Sequence, residues 1–268
     1  MKILVILLII IGIYLFLIAP RIFHKADRTA FLNRHYAHRG LFDNDSEAPE
    51  NSLAAFRKAV DAGYGIEFDV QLSKDNRLVV FHDATLKRMC GVEGYVWDYT
   101  LEELKQFSLL KSGEKIPTFE EVLSVIGGMV PLIIEYKLDR VQTKVCRLAD
   151  KILQKYQGKY CIECFHPLAV MWYRIHRPKV MRGQLCEEHF RNAGYKNPVF
   201  MIMSYLLPNV VARPDFVAYN FKHANNISRR LCRCMGGLSI AYTIKSEAEY
   251  RQAKDKFDLF IFDSCMLQ

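Results

Sequence analysis

No run of six basic residues, no Arg-Gly repeat and no zinc-finger spacing occurs in these 268 residues. The net charge of +8 therefore attracts anions in general, whether phosphate substrates, an anionic membrane or nucleic acid, without the clustered footprint that nucleic-acid recognition uses. No glycine-rich turn follows the first β-type run, which excludes a dinucleotide fingerprint. Eight cysteines lie at irregular intervals, and a chain of this size needs no staples, so reduced thiols are expected. Cys161-x-x-Cys164 and Cys232-x-Cys234 lack the partners that would complete a zinc site.

What is present begins at the amino terminus. From Ile3 to Ala19 the chain is apolar, broken only by Gly12 and Tyr14. Lys2 alone precedes it, and no small-x-small cleavage site follows, so an uncleaved anchor is expected in preference to a signal peptide. The expected organisation is a transmembrane anchor over residues 1–20, a basic connector over 21–33 and one catalytic domain over 34–268. Arg21, Lys25, Arg28 and Arg34 follow the apolar run, and the positive-inside rule then places the domain on the cytoplasmic side of the cell membrane, with a single pass.

Beyond residue 34, short β-type runs alternate with amphipathic stretches. The runs are Tyr36–His38, Gly65–Leu72, Leu78–His82, Val130–Tyr136, Tyr160–Phe165, Val180–Leu185, Phe216–Tyr219, Leu238–Ile244 and Leu259–Asp263. Between them lie helical patterns such as Ser52–Ala62, with Ser52 as N-cap, and Arg140–Tyr156. This alternation predicts an α/β fold, and the charged residues at the run ends favour a TIM (β/α)8 barrel. Nine runs are one too many, and the Ser73–Asn76 connection is short enough to close a hairpin. Residues 87–117 exceed a simple βα loop and are expected to cap the barrel mouth; Met89, Tyr95, Trp97 and Phe107 either line an acyl path or pack beneath the loop.

Glu67 and Asp69 flank Phe68 and so share one face of a strand. Such a pair is either solvated or bridged by a cation, and hard oxygen ligands suit Mg²⁺ or Ca²⁺. Glu135 and Lys137 repeat the geometry at the end of "VPLIIEYK"; they could equally form an internal ion pair. His38 and His82 each end an apolar run beside a charged residue, Arg39 or Asp83; each is either a structural histidine or one of a pair of imidazoles of the kind that serve as base and acid. Asp83 could simply cap the segment after it.

The segments "HRG", "APENSLAAFRKAVDAGYGIEFDVQLSKDNRLVVFHDATLKR", "IPTFEEVL", "LIIEYK" and "FDLFIFDS" resemble, in order, the glycerophosphodiester phosphodiesterases. The resemblance covers residues 35–263. It implies a TIM barrel that uses one divalent cation, Mg²⁺ or Ca²⁺, to hydrolyse glycerophosphodiesters to glycerol 3-phosphate and an alcohol. It implies His38 and His82 as the acid and base, Glu67, Asp69 and Glu135 as metal ligands, and Arg39 and Lys137 as phosphate contacts. Glu50 and Asn51 would stand beside the ligands. In the implied route the substrate's own glycerol hydroxyl attacks phosphorus, and water then opens the cyclic phosphate. Two positions depart from the pattern: the usual Ser-Phe reads Cys164-Phe165, and the usual Trp-Thr reads Tyr242-Thr243. A membrane anchor makes lysophospholipids further expected substrates. The rival readings are a lyase that stops at the cyclic phosphate and a non-catalytic tethered phosphodiester binder; the intact set of seven central residues argues against the second.

Overall fold

The computed structural model describes residues 1–138, 142–188 and 198–263. Its strands are β1 (His35–His38), β2 (Gly65–Leu72), β3 (Leu78–Val80), β4 (Leu132–Tyr136), β5 (Tyr160–Cys164), β6 (Met181–Cys186), β7 (Phe216–Asn220), β8 (Leu238–Ile244) and β9 (Leu259–Phe262). β1 pairs in parallel with both β2 and β9, so the sheet closes on itself. β3 alone runs antiparallel, on β2, with Val70 opposite Val80. The ninth run is therefore the hairpin partner, turned through Ser73, whose Oγ accepts from Arg77 N at 2.9 Å. The other eight strands form the barrel.

The helices are α1 (Lys2–Ile18), α2 (Leu53–Asp61), α3 (Lys87–Cys90), α4 (Leu101–Leu104), α5 (Phe119–Ile126), α6 (Lys144–Leu153), α7 (Pro167–His176), α8 (Pro198–Ser204), α9 (Asn209–Ala212), α10 (Ile227–Cys234) and α11 (Glu247–Ala253). Capping explains several of their starts. Ser52 Oγ accepts from Ala55 N ahead of α2, and Thr118 with Glu121 closes a capping box ahead of α5; each such cap contributes about 1 kcal/mol. The expected helix start at Arg140 lies outside the described residues; α6 begins at Lys144.

Alternation along the strands divides the interior into two levels. Tyr36, Ile133 and Cys161 belong to the apolar cluster filling the lower barrel, together with Met181, Phe216 and Leu259. Two residues further along the same strands stand His38, Glu135 and Glu163. Ala37, Ile66, Phe68, Ile134 and Ile162 point the other way, into the layer between sheet and helices. One period-two step thus changes core into site. Gly183 makes room in the lower level, since a Cβ there would lie 2.0 Å from the Phe216 ring.

The amino-terminal region departs from its expected organisation. Among the described residues no helix is long and apolar enough to cross a membrane. α1 has 17 residues, about 25 Å at 1.5 Å each against a hydrocarbon core of about 30 Å. Its last turn is not free either: Ile18 is fully buried, and its carbonyl accepts from Asn209 Nδ2 at 2.9 Å. Residues 21–33 are no loose connector, for Ala26 and Phe31 join the lower barrel cluster and close its floor. Arg21 ion-pairs with the fully buried Asp215 at 3.5 Å, and Arg28 donates to Asp215 O at 3.1 Å.

Residues 87–117 build a small core of their own, in which Met89, Val96, Leu104, Leu109 and Ile116 pack on Val79 and Phe81 from the β3 hairpin.

Candidate active site

Strand register assembles the site. His38 lies beside Glu67 across β1 and β2, Asp69 beside Glu135 across β2 and β4, and Glu135 beside Glu163 across β4 and β5. These are the C-terminal ends of the strands, where TIM-barrel chemistry resides. Arg39 and Gly40 turn the chain at the end of β1, both with positive φ. At Gly40 a Cβ would come within 2.8 Å of the Ala55 backbone, so only glycine fits.

His38, Arg39, Glu67, His82, Glu135 and Lys137 line one cavity of about 400 Å³, with Phe165, Glu187, Tyr242 and Thr243 in its wall. Asp69 stands directly behind, fully buried, with Lys137 Nζ at 3.0 Å and Arg39 Nε at 3.5 Å. All seven sequence-derived residues therefore converge. A second lobe of about 390 Å³ shares His82, Glu135, Lys137 and Phe165 and adds Trp97. Within the insertion, then, Trp97 reaches the cavity with Tyr95 stacked on it at 4.5 Å, whereas Met89 and Phe107 pack under the loop. A larger cavity of about 720 Å³ lies at the opposite end of the barrel, and no carboxylate lines it. The chemistry belongs to the smaller one.

Glu67, Asp69 and Glu135 each place one oxygen within 4.8 Å of the others, all buried. Burial and the negative charges of Asp69, Glu135 and Glu163 hold the Glu67 carboxyl well above its usual range. Burial raises Glu135 too, against the pull of Lys137. For Asp69, burial is outweighed by Lys137, His82 and Arg39, and its carboxyl is held well below. Lys137 contacts Glu135 Oε1 at 2.6 Å as well as Asp69, and these carboxylates more than offset its burial, raising its pKa. Carboxyl groups outnumber cationic ones here: Glu67, Asp69, Glu135 and Glu163 face Arg39 and Lys137, and Arg39 is shared with Glu50. Buried, crowded hard oxygens with this imbalance suit a divalent cation such as Mg²⁺ or Ca²⁺.

The two histidines differ. His38 is held well below its ordinary pKa by burial and by Arg39, so its imidazole is neutral at neutral pH; its Nε2 lies 3.8 Å from Glu67 Oε2. His82 is a third exposed and shares a 2.7 Å hydrogen bond between Nδ1 and Asp83 Oδ1, which leaves Nε2 for the cavity.

Asp83 is thus a partner of His82, and the capping alternative falls away, since the residue before the following helix is Leu86. Arg88 was not legible as a site residue. It donates to Asp83 Oδ2 at 2.6 Å and to both Glu50 oxygens at 2.7 and 2.8 Å, while Arg39 Nη1 donates to Glu50 Oε1 at 2.6 Å. A chain of charge-assisted bonds therefore runs from His82 through Asp83, Arg88 and Glu50 to Arg39. Asn51 donates to Asp69 Oδ2 at 3.0 Å, which fixes that carboxylate. Glu163 also reaches the cavity, with Oε2 buried and without a hydrogen-bond partner among the described residues. Its signal was present, since it ends β5 as Glu135 ends β4.

An eight-stranded parallel barrel with two imidazoles, two cations and a carboxylate cluster at its strand ends defines a barrel enzyme equipped for acid–base chemistry. The chain belongs to the glycerophosphoryl diester phosphodiesterase family, which residues 38–220 match. It is similar to a glycerophosphodiester phosphodiesterase of Caldanaerobacter subterraneus, 48% identical over 34% of this chain and 39% of that one. It also resembles a lysophospholipase D of Rattus norvegicus, 40% identical over 35% of this chain and 29% of that protein. The matches thus span well under half the length of these curated relatives. The crystal structure of a glycerophosphodiester phosphodiesterase from Thermotoga maritima superposes with a TM-score of 0.65 at 26% identity, covering 85% of this chain and 93% of that one.

Proposed function

We propose that this protein hydrolyses glycerophosphodiesters to glycerol 3-phosphate and an alcohol, with a divalent cation, Mg²⁺ or Ca²⁺, held by Glu67, Asp69 and Glu135. The observation that carries the reading is the convergence of three buried carboxylates, two imidazoles and two cations on one cavity. A cation held by those carboxylates would neutralise charge on a non-bridging phosphoryl oxygen. Arg39, aimed by Glu50, and Lys137, fixed between Asp69 and Glu135, bind and orient the phosphate. One imidazole takes the proton of the attacking glycerol hydroxyl and the other protonates the departing alcohol oxygen; the roles reverse as water opens the cyclic phosphate to glycerol 3-phosphate. His38, kept neutral by burial, is suited to the first task, and His82, oriented by Asp83 at Nδ1 with Nε2 turned to the cavity, to the second.

The reading extends to lysophospholipids at a membrane surface. Its support is α1, whose residues from Lys2 to Ile13 are exposed and almost wholly apolar, together with the name of the rat relative. We place the catalytic domain on the cytoplasmic face of the cell membrane, the side that an excess of Lys and Arg after an apolar run favours.

The test is a panel of glycerophosphodiesters and one lysophospholipid, each assayed for release of glycerol 3-phosphate by wild type and by Glu67→Gln. Release by wild type and a loss of about two orders of magnitude in the variant are expected. Equal rates would remove Glu67 from the site, and no release from any substrate would sink the reading.

A further inference from the structure

The contacts of α1 fix its direction on the barrel. Tyr14 Oη meets Ser228 Oγ at 2.7 Å, at the start of α10. Ile18 O is bound by Asn209 Nδ2, which lies 3.9 Å from Cys232 Sγ, one turn further along α10. Pro20 lies against Gly237, past the end of α10, where an added Cβ would meet it at 3.0 Å. Residues 14, 18 and 20 thus follow 228, 232 and 237 in order, and α1 runs parallel to α10. Because α10 connects the top of β7 to the bottom of β8, it descends from the C-terminal ends of the strands to their N-terminal ends. α1 descends with it. Its free part therefore projects toward the rim that carries the active-site mouth.

That free part, Lys2–Ile13, is about 18 Å long, some 12 Å short of a hydrocarbon core of about 30 Å. The amino group and Lys2 sit at its far end, and charges do not rest inside hydrocarbon. The helix is apolar on every side, so it is suited to immersion and not to lying flat at an interface. Such a shortfall is met by snorkelling of Lys2 and by local thinning of the bilayer, which hold the rim beside the helix against the headgroup layer. Along this side the rim presents Val199, Met201 and Ile202 on α8 and Ile227 at the start of α10, exposed by 57, 43, 40 and 48%. α8 leads directly into α9, on which α1 packs. Exposed Lys222 and Arg230 flank Ile227 at the level suited to lipid phosphates.

We propose that this rim, α8 together with Ile227, enters the lipid headgroup layer with α1, so that the mouth between His38, Glu67 and Lys137 opens onto the bilayer surface. The inference rests on the membrane reading of α1 and adds which face of the barrel meets the lipid. A lysophospholipid then reaches the site from the leaflet that holds the protein, while soluble diesters enter from the side.

The test uses the full chain in vesicles of phosphatidylcholine and phosphatidylglycerol, with and without bromine on the acyl chains. Three variants each add one tryptophan: Ile10→Trp on α1, Ile202→Trp on the rim, and Ile175→Trp, exposed on α7 toward the opposite end. A side chain seated about 5–10 Å into the headgroup and acyl boundary is within reach of the bromines, so the added emission at 10 and 202 should fall about twofold or more, and that at 175 should not. All three should keep wild-type turnover of a soluble glycerophosphodiester, which confirms the fold. Quenching at 10 without quenching at 202 overturns this inference alone, whether position 202 is then open to aqueous iodide or covered by another protein. Absence of quenching at 10 overturns the membrane reading of α1 and this inference with it.

Discussion

Glu50→Gln is the substitution that separates an aimed arginine from a merely nearby one. Glu50 is 4% exposed and accepts Arg39, both arms of Arg88 and Asn44. Burial opposes its charge, but the bonds from Arg88 and the field of Arg39 outweigh burial and lower its pKa. The amide has nearly the same shape, yet it turns an NH₂ toward a guanidinium. Removing one partner of a buried ion pair costs about 3–5 kcal/mol when the other is stranded. Here neither arginine is stranded, because Arg39 keeps Asp69 at 3.5 Å and Arg88 keeps Asp83 at 2.6 Å. A loss of about 2 kcal/mol follows. Arg39 is then drawn toward Asp69, away from the phosphate. If that loss falls on the transition state, kcat/KM drops about 30-fold, at about 1.4 kcal/mol per decade, with KM raised and kcat lowered together. Steady-state kinetics on a soluble glycerophosphodiester, beside a thermal melt, reads both quantities. A variant that melts early but keeps kcat/KM within about threefold of wild type would refute the aiming role and leave Glu50 a purely structural group.

Further outcomes follow from the same geometry. His38→Ala and His82→Ala should each lower turnover by about two to four orders of magnitude with little change in thermal midpoint; near-normal turnover in either marks that imidazole as structural. His35, half-buried against Tyr250 and Phe260 at the foot of β1, is held by burial below its ordinary 6.5. The unfolded chain takes up a proton below that pH which the folded barrel refuses, so stability falls as pH falls from 6.5; His35→Phe should flatten this part of a urea-midpoint profile, and an unchanged profile would show that His35 does not contribute. A chain beginning at Tyr14 should melt like the full protein, whereas one beginning at Phe31 loses Arg21 and Arg28 and leaves buried Asp215 with Arg182 as its remaining side-chain partner among the described residues. That costs about 2 kcal/mol and lowers the midpoint by about 6 °C. Equal melting of the two chains would make residues 14–30 dispensable for stability.

The parts of this fold legible in the sequence are those with short-range signals. Short β-type runs marked all nine strands, and the four-residue Ser73–Asn76 link marked the one that is a hairpin arm. Glu67 with Asp69, and Glu135 with Lys137, announced themselves by sharing a strand face. The rest depends on contacts between distant residues. Arg88 sits on a short helix in the insertion, and nothing near it predicts that it joins Asp83 to Glu50. The basic residues after α1 read as a connector because Asp215, the partner of Arg21, stands 194 positions away. Ile18 read as the end of a membrane span because its carbonyl's partner, Asn209, is equally remote.

The account stands on the claim that the carboxylate cluster holds a cation which the diester cleavage requires. Phosphorus NMR of a glycerophosphodiester incubated with the full chain, before and after exhaustive chelation, tests it directly. The account predicts a glycerol 3-phosphate resonance growing at the expense of the diester, abolished by chelation and restored by Mg²⁺ or Ca²⁺. Undiminished turnover after chelation, or cleavage that leaves phosphate on the other alcohol, would contradict it.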